Sequence, residues 1–457
     1  MKRLEEYKSV YFIGAGGIGM SALVRYCMSK GLRVAGYDRT RTELTDQLQR
    51  EGATLFFEED VALIPEYCLQ PEDTLVVFTP AIPETHEGLN YFRTHGFEVI
   101  KRANLLGLIT HSLKGLCFAG THGKTTTSSM AAHIFTQSGV GCNAFLGGIL
   151  RNYNSNLILS ESSEYAVIEA DEFDRSFHQL LPYIAVVTAT DPDHLDIYET
   201  EDAYIESFAH FTSLVQPDGA LIVKKGIRLK PRLQKGVRLY TYSKEEGDFH
   251  AENIRIGDGR IVFDFVALEN RVNDIELGVP VDVNIENAVA AMSVAWLCGV
   301  SGAAMRAAIG SFMGAKRRFE FWLRTPHVVI DDYAHHPDEL KASIKSVKSL
   351  YPDKRLSVIF QPHLYTRTRD FAPHFADALS LADEVILLDI YPAREKPIQG
   401  ITSQIIFDKI LSPHKELCMR EKLVERIKEY NFEVLLIMGA GDIDRLLPEI
   451  CDVVKSK

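Results

Sequence analysis

Apolar residues gather in short runs along this chain, each closed by glycine or by charged residues, and stretches of helical spacing lie between them. Residues 10–13 (Val-Tyr-Phe-Ile) predict a strand, 20–30 a helix, and 32–37 a second strand. Further strands are predicted at 74–78 and 98–100. An apolar run then ends at Ala119 in a glycine-bounded loop, with a helix over 126–137. Strands follow at 165–168 and 183–188, and a long alanine-rich helix opens after Val279. The last part repeats the pattern with strands at 328–330, 356–360, 384–389 and 433–438, each leading into polar or glycine-rich residues. Strands alternating with helices predict the α/β class. In the C-terminal part they predict a parallel sheet with one edge facing a site. The uncharged stretch 287–305 is interrupted by Gly299, Ser301 and Gly302, which predicts a buried helix and turn and not a membrane span.

Two of these runs carry phosphate-binding chemistry. The strand at 10–13 leads into Gly14-Ala15-Gly16-Gly17-Ile18-Gly19, then a helix, a strand and Asp38, which is the dinucleotide fingerprint in its required order. Glycines let a diphosphate approach the helix N-terminus, and Asp38 would lie near a ribose. The motif does not distinguish NAD from a UDP-sugar. Thr79, Pro80 and Ala81 follow another strand at the same sheet edge, where ligands of such sheets bind. The second run is Gly120-Thr121-His122-Gly123-Lys124-Thr125-Thr126-Thr127. Its backbone N–H groups and helix N-terminus would hold a polyphosphate, Lys124 would neutralise it, and the Thr125 hydroxyl would take a place on Mg²⁺. This is the short form of the motif, since Phe118 stands where the strict form has glycine. Glu169, Asp171, Glu172 and Asp174 crowd one strand end and Asp193-His194 another, an oxygen-rich set that suits Mg²⁺. Asn284 and Asn287 share a helical face, where their amides could read an adenine edge or cap the helix.

Composition narrows the setting. The 457 residues correspond to roughly three domains, placed at 1–112, 113–314 and 315–457. A net charge of −12 without a long basic run argues against nucleic acid as a partner. Seven scattered cysteines without a Cys-x-x-Cys pair predict a reducing compartment and no zinc site. Lys2 and Arg3 are followed by Glu5, Glu6 and Lys8, which is not the layout of a secretory leader, so the expected location is cytoplasmic.

Together these motifs resemble the Mur ligases of peptidoglycan synthesis over nearly the full length. The resemblance rests on the two glycine loops, Glu169-Ala170-Asp171-Glu172, Asp193-His194 and Arg317-Arg318-Phe319. It continues through Asp331-Asp332-Tyr333-Ala334-His335-His336-Pro337, Gln361-Pro362-His363 and Tyr365-Thr366-Arg367-Thr368. It implies an N-terminal Rossmann-like domain holding the UDP of UDP-N-acetylmuramate, with Arg102 beside the glycine loop. It implies a central P-loop domain for ATP and Mg²⁺, and a C-terminal Rossmann-like domain that closes over both with L-alanine. Mg²⁺ would be held by Thr125, Glu169 and His194. Asn284, Asn287, Arg318 and Asp332 would complete the ATP site. Tyr333, His335, His363 and Arg367 would line the reacting end, with the Arg367 fork gripping the amino-acid carboxylate. The expected assembly is a monomer or homodimer. Val283, Leu364 and Asn104 depart from the residues usual in the family, and no lysine occurs over 195–223 to carry the carbamate that several relatives use. The nearest alternative is a recycling ligase that attaches a tripeptide to the same sugar nucleotide. A nicotinamide-dependent oxidoreductase is the more distant one and leaves 120–127 unexplained.

Overall fold

The computed structural model describes residues 2–192, 195–393 and 395–456. Three sheets follow one another along the chain. The first comprises β1 (Ser9–Ile13), β2 (Arg33–Tyr37), β3 (Thr54–Phe56), β4 (Thr74–Phe78) and β5 (Glu98–Lys101). Their order is β3-β2-β1-β4-β5, all parallel. β1 and β4 are buried along their whole length, which is why they read as unbroken apolar runs.

The second sheet comprises β6 (Lys114–Ala119), β7 (Asn143–Leu150), β8 (Ser155–Ile158), β9 (Tyr165–Glu169), β10 (Pro182–Val187), β11 (Ala220–Lys224), β12 (Arg238–Tyr242), β13 (Phe249–Gly257), β14 (Arg260–Ala267) and β15 (Asn270–Glu276). The order is β15-β14-β13-β12-β11-β10-β6-β9-β7-β8, and β8 pairs antiparallel to β7. The third comprises β16 (Glu320–Leu323), β17 (Val328–Asp332), β18 (Leu356–Phe360), β19 (Glu384–Leu388), β20 (His414–Cys418) and β21 (Val434–Met438), in the order β16-β17-β21-β18-β19-β20. The four strands expected to be parallel, β17, β18, β19 and β21, are parallel. β20 joins them in parallel, but β16 enters antiparallel to β17, so the sheet is mixed.

By contact the chain forms two compact units. One runs through Ala251 and adds Phe265–Val272 and Glu286–Ile309; the other takes Glu252–Asp264, Asn273–Ile285 and the chain from Gly310 onward. Within the first unit the five-stranded sheet and the β6–β11 region share one apolar core. The helix Ile18–Ser29 provides part of the join. Tyr26 meets Phe145 edge-on at 5.1 Å, Arg25 donates to the Asn156 amide oxygen at 3.1 Å, and Asn156 donates to the Ile18 carbonyl at 2.5 Å. The alanine-rich segment forms two helices, Val283–Leu297 and Gly302–Ser311, broken at Gly299 as its sequence implies. Among the described residues no helix is long and apolar enough to cross a membrane.

Candidate active site

The first glycine loop borders a cavity of about 720 Å³. Gly14, Gly16, Gly17, Gly19, Asp38, Thr79, Pro80, Ala81 and Arg102, all singled out from the sequence, line it. Ile18 does not; it begins the helix and its side chain is half-exposed. Gly16 is required by close approach, since a Cβ there would lie 2.6 Å from Thr45 Cγ2 and 3.0 Å from Asp38 Oδ2. The Gly16 N–H donates to Asp38 Oδ2 at 2.7 Å, and the Thr40 N–H donates to Oδ1 at 3.0 Å. Asp38 therefore shapes the loop as well as facing the cavity. Arg102 opens the helix Arg102–Ser112 and donates to Asp171 at 3.2 Å. Asn104 accepts from the Lys101 N–H at 3.2 Å, so this family departure keeps a capping function.

Among the cavity residues that sequence reasoning passed over are Glu59, His86, Arg39 and Lys101. His86 is buried, and its Nδ1 caps the helix Glu87–Thr94 by accepting from the Leu89 N–H at 3.1 Å. Burial holds its imidazole below the usual histidine range, with the Glu59 carboxylate opposing. Histidine is an uncommon cap, and nothing in the local sequence marks it as one.

The second glycine loop joins β6 to the helix Lys124–Gln137. Gly123 turns the chain with φ of 83°, a left-handed value that suits glycine, so the helix begins at Lys124 itself. Lys124 Nζ donates to the Gly120 carbonyl at 2.6 Å and to Glu172 at 2.7–2.8 Å. Glu172 is 2% exposed; its burial raises the carboxyl above the usual range while Lys124 pulls the other way. Thr125 Oγ donates to Glu169 Oε1 at 2.9 Å, and the Gly147 N–H donates to Glu169 Oε2 at 3.1 Å. Thr121 donates to the Asp191 carbonyl at 2.7 Å. His122 is exposed, its ring 3.9 Å from Asp191, and Thr126 is half-buried.

The four carboxylates that the sequence grouped as one Mg²⁺ shell do not act together. Glu169 faces Thr125 and Glu172 faces Lys124, while Asp171 pairs with Arg102 and Asp174 with Lys101. Beyond Glu172 the chain turns through left-handed values at Asp174 and Arg175, which takes Asp174 away from the phosphate loop to Lys101. Thr125 and Glu169 remain a pair of oxygen donors that fits a hard divalent cation. Asp193 and His194 lie outside the described residues.

Asn287 belongs to this unit and accepts from Thr127 Oγ at 3.2 Å, on the floor of the phosphate loop. Asn284 belongs to the other unit, where its amide donates to the Val279 carbonyl at 3.1 Å at the start of its helix. Neither contact is a helix cap, since Asn284 donates to a carbonyl and Asn287 accepts from a side-chain hydroxyl; each ties its helix to a neighbouring segment.

In the second unit the C-terminal residues do converge. Tyr333 and His335 meet edge-on at 5.2 Å, His335 and His363 at 6.2 Å, and Arg367 Nη1 approaches His363 Nδ1 at 3.5 Å. The N–H groups of His335 and His336 donate to Glu339, which fixes the start of the helix Pro337–Leu350. Asp332 accepts from Ser343 Oγ, and burial raises its carboxyl. Arg318 is exposed, with no side-chain hydrogen bond among the described residues. Leu364, another departure from the family, takes φ of 73° just before the helix Tyr365–Leu379.

Comparison with known proteins agrees along the length. Residues 9–113 match the Mur ligase family catalytic domain, 118–295 the Mur ligase middle domain, and 317–441 the Mur ligase glutamate ligase domain. The UDP-N-acetylmuramate–L-alanine ligase of Parabacteroides distasonis is 61% identical over 453 residues, covering 99% of this chain and 98% of the relative. The enzyme of the same name from Phocaeicola vulgatus is 60% identical over 98% of this chain and 99% of its own. Among solved structures, the UDP-N-acetylmuramate–alanine ligase of Thermotoga maritima superposes with a TM-score of 0.78 at 26% identity, covering 98% of each chain. A murein peptide ligase of Psychrobacter arcticus superposes at 0.62 with 22% identity, over 97% of this chain and 98% of its own, which speaks to the fold alone. With its three consecutive domain matches and its near full-length relatives, the chain belongs to the Mur ligase family.

Proposed function

We propose that this protein is an ATP-dependent ligase that joins L-alanine to the lactyl carboxylate of UDP-N-acetylmuramate, in the cytoplasmic synthesis of peptidoglycan precursors. The observation that carries the reading is 61% identity to a UDP-N-acetylmuramate–L-alanine ligase along 99% of the chain. The two phosphate-type loops support it, because the reaction needs a sugar nucleotide and ATP at once. On this reading 1–112 is the UDP-sugar domain, 113–314 the ATP domain and 315–457 the ligase domain.

The chemistry explains the side chains. A lactyl carboxylate oxygen attacks the γ-phosphorus of ATP, ADP departs, and an acyl phosphate results. The alanine amine then attacks the acyl carbon, a tetrahedral intermediate forms, and the C–O bond to phosphate breaks as the amine loses a proton. Two anions must meet in the first step. Lys124 reaches the γ-phosphate by leaving Glu172, and offsets that repulsion. Thr125 and Glu169 would hold Mg²⁺ together with His194, and the ion when bound supplies further positive charge to the phosphates. Arg318 and Asp332 serve the nucleotide, and Asn284 and Asn287 brace its surroundings. Tyr333, His335 and His363 line the reacting end, where Arg367 binds the alanine carboxylate.

Release of phosphate from ATP tests the reading, and it should require both UDP-N-acetylmuramate and L-alanine. Full turnover with the free tripeptide and none with alanine would reassign the protein to the recycling reaction.

A further inference from the structure

The turn that carries Arg318 has an unusual backbone. Arg317 and Phe319, on either side of it, both have left-handed φ values, 60° and 46°, although neither is glycine. Such residues persist only where their surroundings over-determine them. Here the Arg317 N–H donates to Glu320 Oε2 at 2.8 Å, and the Arg317 carbonyl accepts from the Tyr333 N–H at 2.7 Å.

The Arg317 side chain does most of the holding. Its Nη1 donates to the Gly441 carbonyl at 3.1 Å and its Nη2 to the Gly439 carbonyl at 2.5 Å, in the loop after β21. Its Nε lies 3.7 Å from Asp331 Oδ2 at the end of β17, and Asp444 lies 3.6 Å from Nη1. The guanidinium also sits 4.9 Å from the centre of the Tyr333 ring. Asp331 is fully buried, and among the described residues neither of its carboxylate oxygens has a hydrogen-bond partner. The guanidinium faces it as a counter-charge. One planar group thus ties three segments together: the turn 317–319, the strand end 331–333 and the loop 439–441. A lysine carries its donors on a single nitrogen and lacks the planar fork whose separate nitrogens meet the two carbonyls and Asp331.

We propose that Arg317 is a positioning residue for the ligase reaction, fixing the direction of Arg318 and the seat of Tyr333 without itself touching substrate. The inference rests on the reading of Arg318 as part of the ATP site.

The test is a double-mutant cycle on the full chain, with steady-state constants for ATP and for UDP-N-acetylmuramate and a melting curve for each variant. Arg317→Lys should raise the KM for ATP about tenfold, the scale of a modest misplacement. The KM for the sugar nucleotide should stay as it was. In an Arg318→Ala background the same Arg317→Lys change should add no further factor, because the group it positions is gone. If lysine prevents folding, Arg317→Gln replaces it; being uncharged, it leaves no stranded cation and should give the same signature. Unchanged kinetic constants with a lower melting temperature would show that Arg317 is only structural and overturn the proposal. So would a tenfold factor that persists beside Arg318→Ala. An ATP KM unaffected by Arg318→Ala alone would remove the assignment of Arg318 first, and the inference with it.

Discussion

Asp331 ends a strand in the interior, and burial pushes its carboxyl up to about 8 even with Arg317 beside it. Unfolded, the same group ionises near 3.8. Between those values the folded chain keeps a proton that the unfolded chain has lost. The stabilising contribution is therefore complete below about 3.8 and disappears as the pH rises through 8. Asp331→Asn removes the ionisation and nearly preserves the shape. Its melting temperature should decline less than the natural protein's between pH 5 and 9, and should exceed it at pH 9. Parallel curves for the two proteins would show that Asp331 does not titrate there. At this scale the sequence was informative about residue type and less so about partner. Glu169 and Glu172 stand three residues apart in one acidic run, yet one faces a hydroxyl and the other a lysine. The backbone path between them decides that, and no periodicity encodes it.

Elements with unbroken apolar runs were legible, because a strand buried on both faces needs apolar residues at every position. β21 is apolar throughout, and β1, β4, β6 and β18 are so apart from Ser9, Thr74, Lys114 and Ser357. Most of the strands left unread are half-exposed or short, although the buried apolar β11 was missed as well. β13 buries only Phe249 and Ala251, β15 only Val272 and Ile275, and β16 is four residues long with Trp322 partly exposed. The glycine loop after β1 was legible for a different reason, since its spacing follows from how closely the backbone must approach its neighbours. Gly16→Ala tests that closeness. The added methyl would press on Thr45 and on the Asp38 carboxylate that anchors the loop. The KM for UDP-N-acetylmuramate should rise at least about tenfold, the scale of losing a bond to a charged acceptor. The KM for ATP should change little. Equal rises for both substrates would mean that the substitution disturbs the unit as a whole.

At the scale of the molecule, the five-stranded sheet and the phosphate loop of β6 sit in one compact unit with a shared apolar core. Two separate ligand sites in one cooperative unit should each stabilise it by mass action. Saturation to a hundred times the dissociation constant is worth about 2.7 kcal/mol per ligand. UDP-N-acetylmuramate alone and Mg²⁺-ATP alone should each raise the melting temperature of the first transition, and both together should raise it further. Lys124→Ala separates the two effects. Its own baseline should fall, because Glu172 is 2% exposed and loses the cation that faces it. Measured from that lower baseline, the shift caused by UDP-N-acetylmuramate should survive, since Arg102 and the Gly14–Gly19 loop are untouched. The shift caused by Mg²⁺-ATP should be largely lost, and turnover should drop by about a hundredfold or more, the scale of removing one transition-state contact. Loss of both shifts would mean that the two sites are not independent. Survival of both, with normal turnover, would mean that Lys124 does not hold the nucleotide. The net charge of −12 adds a condition to the experiment. A chain that repels anions overall depends on local cations to hold two nucleotides, so the ATP shift should weaken with added salt, as expected for a site built on Lys124 and the loop N–H groups.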